Sequence, residues 1–103
     1  MQIDFHSHIL PAADHGSDGL ETSLAQVAMA GEFGIDLMVA TPHFYPRYDS
    51  VQDFLRRREH CARELLRALP QGGPEIRIGA EVQLCSNLDR MEELPQLCVR
   101  GTN

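Results

Sequence analysis

Apolar residues along this chain fall into three short runs, separated by two longer segments in which they recur at helical spacing. The runs occupy positions 2–5, 35–40 and 75–82. Short runs bounded by glycine and proline are typical of strands, whereas apolar residues three and four positions apart are typical of amphipathic helices. The pattern therefore predicts the order strand, helix, strand, helix, strand, which favours an α/β fold built from βαβ units with parallel strands.

The first predicted helix runs from Asp18 to Phe33. Ser17 or Asp18 is expected to cap its start, and Glu21 lies in the first turn, where the helix dipole favours an acidic side chain. Gly34 follows as a natural stop. The expected apolar face consists of Leu20, Leu24, Val27 and Ala28.

The second predicted helix begins after Ser50, with Asp53 three residues later as the partner of a capping box. Its expected apolar stripe consists of Val51, Phe54, Leu55, Cys61, Ala62, Leu65, Leu66 and Leu69. His60 falls on the opposite, charged face of this helix. We therefore exclude His60 from the functional site.

Potential metal ligands follow each of the three predicted strands. His6 and His8 are two residues apart, so their side chains share one face where the first strand ends. Asp14 follows them in the next loop, His43 comes after the second strand, and Glu81 lies at the end of the third. Parallel α/β folds place their chemistry at the carboxyl ends of the strands, and imidazole and carboxylate groups bind manganese, iron and zinc. The spacing predicts a metal site there.

Composition and charge narrow the function classes. The chain has 103 residues, a formal net charge of −6 and a hydrophobic content of 43%, which is enough for a packed core. This acidity argues against a nucleic-acid partner. An odd number of cysteines without CxxC spacing is typical of the cytoplasm, and no apolar run is long enough to embed the chain in a membrane.

Three ordered motifs carry a resemblance to a known family. They are 4–11, read as DFHSHILP, with Asp14 and Gly16 after it; 40–45, read as ATPHFY; and 79–82, read as GAEV. In these motifs the chain resembles the PHP (polymerase and histidinol phosphatase) superfamily. The branch it is most similar to is that of the bacterial manganese-dependent protein-tyrosine phosphatases linked to capsule and exopolysaccharide genes. The resemblance extends over essentially the whole chain.

The resemblance implies a (β/α)7 barrel, of which residues 1–103 would be the N-terminal portion of a single domain. It implies that His6 and His8 bind a first metal ion and that Glu81 bridges the first and second. Asp14 and His43 would serve a third ion. The expected cofactor is Mn²⁺, with iron or zinc as alternatives, and Glu81 and His43 are also the expected catalytic residues.

Two departures from the family pattern concern the site. The family's Asp-Asp-Gly is Asp14-His15-Gly16 here, so His15 is a bystander, a hydrogen-bond donor to a ligand, or the ligand in place of Asp14. We retain Asp14 because it lies six residues after His8, as the family's ligand does. Family members are also more than twice as long and take further ligands from later strands, so we expect this chain alone to be incomplete for catalysis.

The implied activity is hydrolysis of phosphotyrosine by a metal-activated water, with a protein substrate such as a bacterial tyrosine kinase. Three alternatives remain: a phosphatase of a small phosphorylated metabolite, an amidohydrolase-type metalloenzyme, and a fragment without activity. Strands left with open edges also favour a homo-oligomer.

Overall fold

The computed structural model describes residues 1–14, 16–83 and 94–99. Its elements in chain order are β1 Ile3–Ser7, α1 Leu20–Glu32, β2 Leu37–Ala40, β3 His43–Phe44, α2 Val51–Ala68, β4 Glu75–Ile78, β5 Glu81–Val82 and the 3₁₀ helix Leu94–Leu97. Neither of the two long helices in the described ranges has the length and hydropathy needed to cross a membrane.

The strands within the described residues all pair in parallel, as predicted. β2 lies between β1 and β4 in a three-stranded sheet, while β3 pairs with β5 in a separate two-stranded sheet. Both connections within the larger sheet run through a helix, which is the usual solution for parallel neighbours. The prediction of an α/β fold with parallel strands is confirmed. The described residues form two open sheets, so the closed (β/α)7 barrel stays a prediction.

The predicted third strand is divided in two, which is a correction to the sequence analysis. The Gly79 N–H donates to the Ala40 carbonyl at 2.7 Å, and the Glu81 N–H donates to the Pro42 carbonyl at 3.0 Å. Between these two bonds the chain passes from the larger sheet to the smaller one. As a result, His43 and Glu81 lie directly opposite each other in the register of β3 and β5.

Two hydrophobic clusters hold the elements together. The larger one joins both long helices to the sheet, and it also takes in the loop after β1 through Ile9, Leu10 and Ala13. The smaller one consists of Phe44, Val51, Phe54 and Leu97. Since the first cluster buries the loop that follows His8, packing fixes the position of the ligand-bearing loop.

The two long helices differ from prediction in three places. Ala28 is exposed and Ser23 is buried instead, so the buried face of α1 is turned relative to the expected one. Leu66 of α2 is exposed, although it was expected in the apolar stripe. The predicted stop at Gly34 is confirmed, since this residue has a φ of +89° in the left-handed region that glycine readily adopts.

The starts of the two helices also differ. Ser50 caps α2 as predicted, because its hydroxyl accepts a hydrogen bond from the Asp53 N–H at 3.1 Å. In α1 the residue before the first turn is Gly19, and no side chain caps the helix. The predicted cap by Ser17 or Asp18 is wrong, since the Ser17 hydroxyl donates to the Gly19 carbonyl and Asp18 accepts from Thr22.

Candidate metal centre

The end of β1 delivers His6 and His8 to one side of the sheet edge. Ser7 between them is buried, and its hydroxyl donates to the Val39 carbonyl at 2.8 Å. Its N–H donates to the Thr41 hydroxyl at 3.2 Å. Because Ser7 is held inward by β2, the two neighbouring histidines face outward together, with ring centroids 4.9 Å apart.

Three of the nominated residues form a first ligand group. His6 Nε2 lies 2.8 Å from Glu81 Oε1 and 3.2 Å from His8 Nε2, and His8 Nε2 lies 3.7 Å from Glu81 Oε1. A point equidistant from three atoms with these separations lies about 2 Å from each of them, which is the bond length that Zn²⁺ and similar cations make with nitrogen and oxygen. The donor set and its spacing therefore fit a divalent metal ion.

Asp14 belongs to a second group, with His8 and His43. Its carboxylate accepts hydrogen bonds from His8 Nδ1 at 2.9 Å, from the His43 N–H at 3.0 Å and from the Gly16 N–H at 2.9 Å. Burial by itself raises the pKa of Asp14, but these hydrogen bonds outweigh it and hold the pKa below the ordinary value of 3.8. Asp14 is therefore a carboxylate at neutral pH although its side chain is only 5% exposed.

The contact with Asp14 sets the tautomer of His8. A carboxylate can only accept, so His8 Nδ1 carries the proton in this contact, and in the neutral imidazole Nε2 then carries the lone pair and faces His6 and Glu81. A carboxylate behind a histidine is the usual arrangement of a metal-binding imidazole. The geometry thus prepares His8 Nε2 to bind a cation in the first group.

Glu81 connects the two groups. Its Oε1 faces His6, whereas its Oε2 lies 2.5 Å from His43 Nδ1. The His43 ring stacks on that of His8 with centroids 4.4 Å apart. The Tyr45 ring also stacks on the His43 ring, with centroids 5.4 Å apart. The two carboxylate oxygens of Glu81 therefore serve two different imidazoles.

The loop from His8 to Ser17 leaves little room around these ligands. The Ser17 N–H donates to the His8 carbonyl at 3.0 Å, which closes the loop. At Gly16 a Cβ atom would lie 2.3 Å from the His8 Cβ and 2.4 Å from the His8 carbonyl oxygen. Any other residue at position 16 would therefore push His8 out of place.

The predicted convergence of His6, His8, Asp14, His43 and Glu81 is confirmed as geometry, while their binding of metal and the catalytic roles of Glu81 and His43 stay predictions. His15, the alternative to Asp14, lies outside the described residues. His60 is exposed on α2 and belongs to neither group, as predicted.

Sequence reasoning missed two residues near this site. Tyr45 stacks on His43, and nothing in the apolar pattern indicates this contact. Arg58 is buried in α2, although it was not counted with the apolar stripe. Its position could have been found, because Arg58 follows Phe54 by four residues and precedes Cys61 by three, which places it on the same face of the helix.

The chain is similar to known proteins in sequence and in fold. The sequence model of a family described as "Capsular polysaccharide synthesis, CpsB/CapC" matches residues 2–100. No curated protein matches the chain.

A solved structure also matches. It comes from the crystal structures of YwqE from Bacillus subtilis and CpsB from Streptococcus pneumoniae, described as unique metal-dependent tyrosine phosphatases. The two chains are 22% identical and superpose with a TM-score of 0.68 over 94% of the present chain. The match covers 38% of the solved chain, so the present chain spans well under half of that length.

Proposed function

Since the chain belongs to the CpsB/CapC family of capsular polysaccharide synthesis, we propose that it supplies the metal centre of a phosphoesterase that hydrolyses phosphotyrosine. The observation that carries this proposal is that two ligand groups share His8 and are linked by the contact between Glu81 and His43. Paired cation sites made of histidine and carboxylate suit phosphoester hydrolysis, because two nearby cations stabilise both the attacking and the leaving oxygen.

The proposed ligands divide into two sets. His6, His8 and Glu81 would hold one divalent cation, and Asp14 with His43 would serve a neighbouring one. Mn²⁺ is the cation we favour, while iron and zinc suit the same donors. When bound, such a cation would supply positive charge to the phosphoryl oxygens and lower the pKa of a water molecule that attacks phosphorus.

The chain's own residues have further roles. Asp14 keeps the proton of His8 on Nδ1 and so leaves Nε2 free to bind. Glu81 Oε2 lies 2.5 Å from His43 Nδ1, close enough for a hydrogen bond, and this pair would transfer a proton beside the phosphate. Glu81 and His43 are therefore the proposed catalytic residues.

The proposed biological setting is regulation of a bacterial capsule or exopolysaccharide. The phosphotyrosine substrate would be a protein, such as a bacterial tyrosine kinase, and the protein would work in the cytoplasm. Support for this setting comes from the family's role in capsular polysaccharide synthesis. The free thiol of Cys61 also suits a reducing compartment, and burial raises its pKa, which makes it a poor nucleophile.

Self-association is part of the proposal. Phe5 is 71% exposed and Ile3 is also exposed, and both are apolar residues of β1, an edge strand among those described. An edge strand with exposed apolar side chains favours pairing with a second copy.

The test uses the complete product of the gene with Mn²⁺ and a phosphotyrosine peptide. Replacing Glu81 by Gln keeps the shape but removes the charge, so metal content and turnover should fall together, each by at least about tenfold. The matched control is His60→Ala, which should change neither. The 103-residue chain alone should bind Mn²⁺ but show little turnover.

Two results would count against the proposal. Turnover that persists after removal of metal with EDTA would exclude a metal-dependent reaction. Equal losses in Glu81→Gln and His60→Ala would show that the ligand group has been assigned to the wrong residues.

A further inference from the structure

Arg58 of α2 is a buried cation that the proposed chemistry does not use. Its side chain is only 5% exposed. It lies beside the ring of Phe54, with the guanidinium carbon 5.7 Å from the ring centroid. Burying the Arg58 guanidinium costs desolvation free energy, which its hydrogen bonds must offset. The partners of those bonds therefore indicate which parts of the structure Arg58 stabilises.

The guanidinium of Arg58 binds backbone carbonyls from two separate segments. Nη1 donates to the Gly79 carbonyl at 3.0 Å and to the Leu97 carbonyl at 3.4 Å, and Nη2 donates to the Gln96 carbonyl at 3.3 Å. Gly79 lies between β4 and β5, and the other two carbonyls belong to the 3₁₀ helix. One side chain therefore joins α2, the break in the third strand and the 3₁₀ helix.

The break at Gly79 decides where Glu81 lies. Before it, the chain pairs with β2, and after it the chain pairs with β3. A Cβ at Gly79 would lie 3.0 Å from a methyl group of Val99, so the segment after the 3₁₀ helix packs closely against the same break. The Gly79 carbonyl is buried here and accepts its hydrogen bond from Arg58, which orients the peptide that leads into Ala80 and Glu81.

We propose that Arg58 is a positioning residue for Glu81. It acts through the backbone at Gly79 and Ala80, and it holds the Glu81 carboxylate at the distances from His6 and His43 that a shared metal site needs. This inference rests on the proposed function, since it requires Glu81 to be a metal ligand. It adds that the site depends on a side chain in α2 that is outside both ligand groups.

A purely structural role for Arg58 makes a different prediction. Loss of a buried arginine would then lower stability and leave the metal affinity of the folded molecules unchanged. A positioning role lowers that affinity as well, because the carboxylate would sample orientations that cannot bind the cation together with His6. The two roles are therefore separated by Mn²⁺ affinity measured on folded protein.

The experiment titrates the complete product of the gene with Mn²⁺ by calorimetry at a temperature where circular dichroism shows each variant to be folded. Arg58→Ala should weaken Mn²⁺ binding about tenfold, as loss of an orienting partner typically does. Ethylguanidinium added to Arg58→Ala should restore part of the affinity, because it can occupy the vacated space and donate to the same carbonyls. Arg58→Lys keeps the charge but lacks the planar fork, so its affinity should be intermediate.

Ser50→Ala is the matched control. Ser50 caps the start of the helix that carries Arg58, and it belongs to neither ligand group. This variant should lose stability while it keeps wild-type Mn²⁺ affinity. Amide exchange at Glu81 gives a readout that does not need metal, since its N–H bond to Pro42 should open faster in Arg58→Ala than in Ser50→Ala.

The possible outcomes test the positioning role of Arg58 separately from the proposed function. Wild-type affinity in both Arg58→Ala and Arg58→Lys would overturn the positioning role while leaving the proposed function intact. If Arg58→Ala does not fold, Arg58→Lys with wild-type affinity is enough to overturn it. A wild-type chain that binds no Mn²⁺ would overturn the proposed function and this inference together.

Discussion

The two helices begin in the same kind of sequence, a serine followed within three residues by an acidic residue, and yet they begin differently. At the start of α2 the Ser50 hydroxyl accepts a hydrogen bond from the helix backbone. At the start of α1 the Ser17 hydroxyl turns away from the helix backbone N–H groups and meets the Ser23 hydroxyl at 2.6 Å inside the core. The start of α1 follows the ligand-bearing loop, whereas the start of α2 does not border the metal centre.

The difference between the two helix starts reflects the role of Ser17 in holding the loop that carries His8 and Asp14. Ser17 is fully buried, and its N–H closes the loop onto the carbonyl of His8. Its hydroxyl links the end of this loop to Gly19 and Ser23 of the following helix. Ser17 therefore does not cap α1, although such a cap would stabilise the helix by about 1 kcal/mol. Its side chain instead holds the loop that carries His8 and Asp14.

The strongest test of this comparison is Gly16→Ala. The new methyl group would overlap both the Cβ and the carbonyl oxygen of His8, so the loop must shift. We expect a loss of about 3 kcal/mol in the free energy of unfolding, measured with urea, and a marked loss of Mn²⁺ affinity. Gly19→Ala is the control, because a Cβ there meets no atom of the described residues within 4 Å. Equal effects at the two glycines would contradict the account.

A second, smaller effect is expected from Ser17→Ala compared with Ser50→Ala. Loss of the Ser17 hydroxyl leaves that of Ser23 without its buried partner, which costs about 1–3 kcal/mol, while loss of the Ser50 cap costs about 1 kcal/mol. Only Ser17→Ala should also weaken Mn²⁺ binding, because only Ser17 is joined to the His8 loop. Weaker Mn²⁺ binding in Ser50→Ala would show that the comparison between the two helix starts is mistaken.

Much of the site could be predicted from the sequence because it depends on short-range rules. Side chains alternate along a strand, so His6 and His8 had to share a face, and parallel strands end at one edge, which brought His43 and Glu81 to them. The break at Gly79 could not be predicted, since an alternating pattern does not say which neighbouring strand each half will join. The burial of Arg58 was also missed, because a charged side chain is ordinarily solvated and its three carbonyl partners are distant in sequence.

The faces of α1 show the same limit. Ser23 and Ala28 are both small, so hydrophobicity alone favours burying Ala28. The opposite occurs because Ser17 offers a buried hydrogen bond to Ser23. The choice is therefore made by a contact between the loop and the helix, and helical periodicity contains no information about it.

The smallest expected effect is the change with pH in the contribution of Asp14 to the free energy of unfolding. The folded-state pKa of Asp14 lies below its ordinary value, so the ionised group stabilises the fold above about pH 4 and this stabilisation is lost as the pH falls through the folded-state pKa. In EDTA, the stability difference between the wild type and Asp14→Asn should stay level above about pH 5 and shrink toward pH 3. Urea unfolding at each pH measures it.

Asp53→Asn at the start of α2 is the control for the pH series. An ion pair with Arg56 lowers the pKa of Asp53, but the pair is exposed and solvent screens it. The free energy of unfolding of Asp53→Asn should therefore differ little from that of the wild type at every pH. A difference for Asp14→Asn that grows as the pH falls would contradict the sign given for Asp14.

We propose above that His6, His8 and Glu81 hold one divalent cation. Crystals of the chain grown with Mn²⁺ and measured for anomalous scattering test it most directly. We expect a manganese peak about 2 Å from each of His6 Nε2, His8 Nε2 and Glu81 Oε1. A peak bound only elsewhere on the molecule, or no peak at saturating Mn²⁺, would contradict it.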